Sequence, residues 1–224
     1  MNIMFDLYGT LIDIHTDEEE KYFWIKLSKK LKKYKFYEPM DLKKSYLDYV
    51  GLLERDIEEI EIKDVFTHLF NTNEKDTLKI CKIFRKLSTE YIRLYKGVKS
   101  LLKKLKHDGD RLFVLSNAQN AFTIPELKSL KIYKYFDGIA ISSDYKIKKP
   151  NKNFFKNAMK SFKIDIDNTI MIGNDYKCDI APAIELGLEF VFIESNLTPI
   201  NSFTNKIVGF DETTIYNKIK KIKK

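Results

Sequence analysis

The spacing of apolar residues changes character along the chain. Ile3-Met4-Phe5 is a short continuous apolar run that ends at Asp6-Leu7-Tyr8-Gly9-Thr10. That is the pattern of a buried strand closed by a glycine-containing turn, and such a strand carries Asp6 to its carboxyl end. From Thr16 the spacing becomes helical: Tyr22, Phe23, Ile25, Leu27 and Leu31 mark one helix reaching Lys35. Thr16, with Glu19 three positions on, has the form of a capping box at its start. Further helical spacing covers 39–60, 64–70 and 74–95, so roughly 80 residues pass without a strand signal. Beyond Gly97 the grammar alternates. A short helix over 97–106 and a turn over 107–110 lead to strands near 111–115, 139–141, 169–172 and 190–193. Helices near 125–130, 151–162 and 179–186 separate these strands, and a surface helix follows Asp211.

Strand and helix in turn predict a parallel sheet with helices on both faces. The expected fold is therefore α/β: a doubly wound, Rossmann-like core formed by 1–14 and 96–224, interrupted after its first strand by an all-helical cap over 15–95. Such a core binds ligands beyond the carboxyl ends of its strands, and an insertion leaving from that edge sits over the site as a lid.

With 224 residues, 44% hydrophobic and 32% charged, the chain is long enough to bury a core without disulfides or a structural metal. Cys81 and Cys178 form no Cys-x-x-Cys pair and read as free thiols. No apolar stretch approaches the ~18 residues of a membrane span, and Asp6 interrupts the opening run before it becomes a signal sequence. A soluble, cytoplasmic protein is expected. The balance of 40 basic to 32 acidic residues gives +8, yet only Arg55, Arg85, Arg93 and Arg111 are arginines. Lysines spread from Lys21 to Lys224 read as solvated helix faces, with Lys218–Lys224 a basic amphipathic helix end, and neither nucleic acid nor membrane is an expected partner.

Four polar clusters fall just after the predicted core strands: Asp6 with Tyr8 and Thr10, Ser116-Asn117, Lys149-Pro150, and Gly173-Asn174-Asp175 with Asp179. Each alone is ordinary turn chemistry. Together they place a nucleophile, a hydroxyl with amide donors, a cation and an acidic site at one end of a sheet.

In these residues the chain resembles the haloacid dehalogenase superfamily of hydrolases. Asp6-Leu7-Tyr8-Gly9-Thr10-Leu11 is similar to its nucleophile motif, Leu115-Ser116-Asn117 to its second, Lys149-Pro150 to its third, and Gly173-Asn174-Asp175 through Asp179-Ile180 to its acidic fourth. Tyr135-Phe136-Asp137 before the third motif adds to the likeness, and an insertion between the first and second motifs resembles the subgroup with a helical cap. The resemblance implies attack by Asp6 and a covalent aspartyl intermediate that water hydrolyses. It implies Mg2+ held by Asp6, the Tyr8 carbonyl and Asp175. Thr10, Ser116, Asn117 and Lys149 would bind the transferred group, with Asn174 and Asp179 behind them. The implied substrate is a small phosphorylated metabolite, handled by a monomer or homodimer.

Two positions depart from the family pattern. Phosphatases of the superfamily usually carry an aspartate two residues after the nucleophile as general acid, where this chain has Tyr8, and Asn174 stands where an aspartate is frequent. Tyrosine at that position resembles the metal-independent 2-haloacid dehalogenases, which displace halide and need no proton donor. Those enzymes also use an arginine early in the cap, and no arginine precedes Arg55 here. A magnesium-dependent phosphatase is the favoured expectation. A dehalogenase-like hydrolase and a non-catalytic binding protein on the same fold stay open. His15 lies just beyond the nucleophile loop as a candidate substrate contact.

Overall fold

The computed structural model describes residues 1–222. The chain runs through β1 (Asn2–Phe5), β2 (Ile12–Thr16), α1 (Lys21–Leu31), α2 (Pro39–Leu53), α3 (Ile62–Phe70), α4 (Glu74–Ser88), β3 (Thr89–Leu94), α5 (Val98–His107) and β4 (Arg111–Ser116). It continues through α6 (Asn120–Ser129), β5 (Gly138–Ile141), α7 (Ser142–Tyr145), α8 (Lys152–Phe162), β6 (Thr169–Gly173), α9 (Ala181–Glu185), β7 (Glu189–Glu194), β8 (Lys206–Val208) and α10 (Glu212–Ile222). A 3-10 turn covers Tyr133–Tyr135 and a single π-helical turn covers Tyr176–Ile180.

Six strands form one sheet in the order β5-β4-β1-β6-β7-β8, every pairing parallel. β1 lies inside it, in register with Arg111–Val114 on one side and Thr169–Ile172 on the other. Its side chains alternate between two cores. Ile3 and Phe5 pack with Leu101 and Leu105 of α5 and Ile215 and Ile219 of α10, while Met4 packs on the other face with Phe154, Phe155 and Ala158 of α8. Both faces being covered explains why β1 reads as an unbroken apolar run rather than an alternating one.

A third core belongs to α1–α4, where Trp24, Leu27, Val65, Phe66 and Phe84 are buried together and Phe23 meets Phe84 edge-on at 5.2 Å. Phe122 of α6 joins this cluster and stacks on Phe84 at 6.2 Å, so the helical insertion rests on the helix that follows β4.

Three differences from the sequence expectation are local. Thr16 is the last residue of β2 and caps no helix. Instead the Asp17 carboxylate accepts from the backbone N–H of Glu19 (2.9 Å) and Glu20 (3.3 Å), and α1 starts at Lys21. The helix expected through Tyr95 ends at Ser88, and Thr89–Leu94 pairs antiparallel with β2, Ile12 opposite Leu94 and Ile14 opposite Ile92. Thr-Glu-Tyr-Ile-Arg-Leu suits a helix as well as a strand, and a partner more than 70 residues earlier decides for the strand. β8 escaped notice because it is three residues long and gains its ladder only from β7. In the tail, α10 turns Ile215 and Ile219 inward, while Lys223 and Lys224 of the expected basic end lie outside the described residues.

Candidate active site

Asp6 stands one residue past β1, Ser116 ends β4, and Asn174 and Asp175 follow β6 directly, so three adjacent strands present these residues at one edge of the sheet. Lys149 arrives from the loop after α7, before a cis peptide to Pro150. A cleft of about 170 Å³ opens there, lined by Asp6, Tyr8, Ser116, Asn117, Lys149, Asn174, Asp175 and Asp179.

Lys149 organises the cleft. It is 3% exposed, and its ammonium donates to Asp6 Oδ1 at 2.8 Å, Asp179 Oδ1 at 2.7 Å and the Leu115 carbonyl at 2.9 Å, using all three of its protons. Burial works against its charge, but Asp179 and Asp6 outweigh that and hold it above the ordinary lysine range. Burial pushes the Asp179 carboxyl up, with Lys149 opposing. The other oxygen of Asp179 accepts the backbone N–H groups of Asn174 (3.1 Å) and Asp175 (3.0 Å) and fixes that loop. Gly173 permits the approach, since a Cβ there would fall 2.3 Å from Asp179 Oδ2. The Asn117 amide exchanges two bonds with the Lys149 backbone, at 2.8 and 2.9 Å, so it braces the lysine loop.

Thr10 donates to Asp6 Oδ2 at 3.0 Å. The buried Ser116 hydroxyl has no hydrogen-bond partner among the described residues, so it can donate to a ligand oxygen. Asp175 lines the cleft with one oxygen committed to the Cys178 N–H at 3.0 Å. Burial and Asp175 push the Cys178 thiol up to about 12, which disfavours the thiolate.

Tyr8 belongs to a second network. Its hydroxyl donates to Glu126 Oε2 at 2.5 Å and meets Thr123 Oγ1 at 3.1 Å, while Arg85 of α4 donates to Glu126 Oε1 at 2.6 Å. Burial, then the Glu126 charge, raises the Tyr8 phenol far above its usual range, so its proton is committed to Glu126. Next to this network, a cavity of about 440 Å³ between the helical insertion and the core is lined by Arg85, Tyr46, Glu18, Glu59, Gln119 and Thr123 among others. Sequence reasoning missed Arg85 and Glu126. They lie 41 residues apart on two different helices, and only the scarcity of arginine could have drawn attention to one of them. His15 is not among the residues that line the cleft; it stacks on Tyr91 at 6.0 Å and lies 3.6 Å from Glu90.

The family model described as haloacid dehalogenase-like hydrolase matches residues 3–193, across all four clusters. The chain belongs to that family. Among curated relatives of this hydrolase, a glyceraldehyde 3-phosphate phosphatase of Methanothermobacter thermautotrophicus is 29% identical over 124 residues, 55% of each chain. A phosphoglycolate phosphatase of Nitrosospira multiformis is 27% identical over 177 residues, 77% of this chain and 74% of the other. The hydrolase thus spans about half the length of the first of these relatives. The solved structure of a HAD phosphatase from Thermococcus onnurineus superposes with a TM-score of 0.60 over 97% of both chains at 17% identity, a likeness of fold. Among the described residues of the hydrolase no helix is long and apolar enough to cross a membrane.

Proposed function

We propose that this hydrolase is a magnesium-assisted phosphatase of a small phosphorylated metabolite, acting in the cytoplasm as a monomer or homodimer. The observation that carries the reading is the Asp6–Lys149–Asp179 constellation beside the unpartnered Ser116 hydroxyl. It combines an oriented carboxylate nucleophile with a fixed cation and a spare donor where a phosphoryl group would lie. Residues 1–14 and 96–224 act as the catalytic core and 15–95 as the cap.

Asp6 Oδ2, the Tyr8 carbonyl and Asp175 supply hard oxygens, and a site with one or two carboxylates plus substrate phosphate is what Mg2+ ordinarily takes. Among the described residues no group of three or more His, Cys, Asp or Glu is placed to hold a metal ion by itself. A bound Mg2+ would neutralise charge on the transferring oxygens. Asp6 attacks phosphorus as the bond to the leaving oxygen breaks, and water then hydrolyses the acyl phosphate, while Lys149 places its positive charge beside the phosphoryl oxygens, Ser116 donates to them and Thr10 keeps the carboxylate aimed. Asp179 positions Lys149.

Because the Tyr8 proton is committed to Glu126, leaving groups that need no protonation should turn over best. General-acid help is worth about 10²–10⁴ in rate. The test is phosphate release from acyl, aryl and alkyl phosphates with magnesium and with chelator. Magnesium-dependent release that falls steeply with leaving-group basicity is expected; a flat dependence would contradict the account of Tyr8, and no release from any of them would overturn the phosphatase reading.

Glu18 and Glu59 line the neighbouring cavity. With Arg85 tied to Glu126, this lining disfavours a substrate tail carrying a carboxylate. Replacing both by Gln should raise kcat/KM for phosphoglycolate about tenfold relative to a neutral-tailed phosphate, the effect of ~1.4 kcal/mol. An unchanged ratio would remove the cavity from substrate choice.

A further inference from the structure

The cavity between the helical insertion and the core adjoins the catalytic cleft, since Tyr8 and Asn117 line both. Its volume of about 440 Å³ lies in the range of small-molecule sites, roughly 300–1,000 Å³. Its charge is one-sided. Among the described residues that line it, Arg85 is the only cation, and Glu126 balances that charge by accepting the Arg85 Nε–H at 2.6 Å. Glu18, Glu59 and the exposed Glu54 line the same space, and none of the three forms an ion pair among the described residues. Glu59 accepts from the neutral Gln119 amide at 3.0 Å. Burial raises the Glu18 and Glu59 carboxyls, and the charges of Arg85 near Glu18 and Lys148 near Glu59 do not offset it, so the ionised forms are short of positive charge.

The aromatic lining suits the same charge. Tyr46, Phe84 and Phe122 form a run of rings with centroids 5.5 and 6.2 Å apart, and Arg85 already stands over the Phe122 ring at 5.1 Å. Burial and then the charges of Glu18 and Glu54 raise the Tyr46 phenol, which places two carboxylates near the ring at the other end of the run. A ring face beside carboxylates selects an ammonium over a hydroxyl or a carboxylate. At the cleft end, the Ser116 hydroxyl is 1% exposed and unpartnered, a donor for a phosphoryl oxygen. We propose that the substrate is a phosphate monoester whose leaving group carries an ammonium group, the phosphoryl end seated in the cleft and the ammonium held by Glu18, Glu54 and Glu59 beside Tyr46. This rests on the phosphatase reading and narrows it to a substrate class.

Three phenyl phosphates that differ only in a para aminomethyl, hydroxymethyl or carboxymethyl group test this on the full chain in magnesium, with the leaving oxygen a phenol throughout. kcat/KM should fall in that order, by at least about tenfold between the first two. Glu18→Gln with Glu59→Gln should remove most of that ratio. Glu38→Gln with Glu74→Gln takes the same charge from exposed positions outside the cavity lining and should keep it. The matching benzylphosphonates, which cannot be hydrolysed, should bind wild type in the same order by calorimetry. Equal values for the aminomethyl and hydroxymethyl compounds in wild type, in kcat/KM or in phosphonate affinity, would overturn the proposal. So would a preference that survives in the cavity variant or vanishes in the surface variant. The two readings fail separately: phosphonates bound in the expected order without phosphate release from any compound sink the phosphatase and leave the ammonium site standing, and release without the preference does the reverse.

Discussion

Asp6→Asn should reduce phosphate release by about 10⁴-fold or more while leaving the protein folded, because the amide keeps the size of the side chain but cannot form the acyl phosphate. The surroundings favour a clean result. Asp6 and Asp179 share the one ammonium of Lys149, a buried group of net charge −1. Removing the Asp6 charge leaves Lys149 paired with Asp179, so the melting temperature should hold or rise. Phosphate release under saturating substrate, with a thermal melt on the same preparation, reads both. Activity within tenfold of wild type would remove Asp6 as nucleophile and with it the aspartyl intermediate.

Lys149→Met should have the opposite profile: lost activity together with lost stability. It takes the only cation from between two buried carboxylates and leaves the Leu115 carbonyl without its partner. Removing one member of a buried ion pair costs about 3–5 kcal/mol. The deficit should depend on pH in a definite direction. Burial already raises the Asp179 carboxyl, and loss of Lys149 raises it further, so the folded variant binds more protons than the unfolded chain above the ordinary aspartate range. Stability then falls as pH rises through that window, and the variant should approach wild type as pH is lowered toward 4. Denaturant melts at pH 4.5 and 7.5 measure it. A deficit independent of pH would mean that lost packing, not unpaired carboxylate, dominates.

The parts of this structure that the sequence revealed are those specified locally. Ile3–Phe5 declared a doubly covered strand, and the polar residues after β1, β4 and β6 declared one edge of a parallel sheet, because both follow from short runs. The family match over residues 3–193 agrees with that reading. What escaped depends on partners far along the chain. Thr89–Leu94 became a strand only against Ile12–Thr16, and Glu126 matters because Arg85 and Tyr8 converge on it from two other elements. Asn117, expected at the substrate, lines the cleft, and its amide also braces the Lys149 backbone, a second task no spacing of residues can express.

The two-stranded ribbon has a consequence for how this protein could be rebuilt. Ile12 lies opposite Leu94, so the chain leaves the sheet and comes back within the width of one ladder. Everything between those residues is, in topological terms, a single long hairpin loop. Closing a loop costs only about 0.6 kcal/mol more for each doubling of its length, so the core is almost indifferent to how much chain the ribbon carries. The helices between β2 and β3 are in this sense an exchangeable module, and a tight turn grafted across β2 and β3 would give a minimal form of the same sheet.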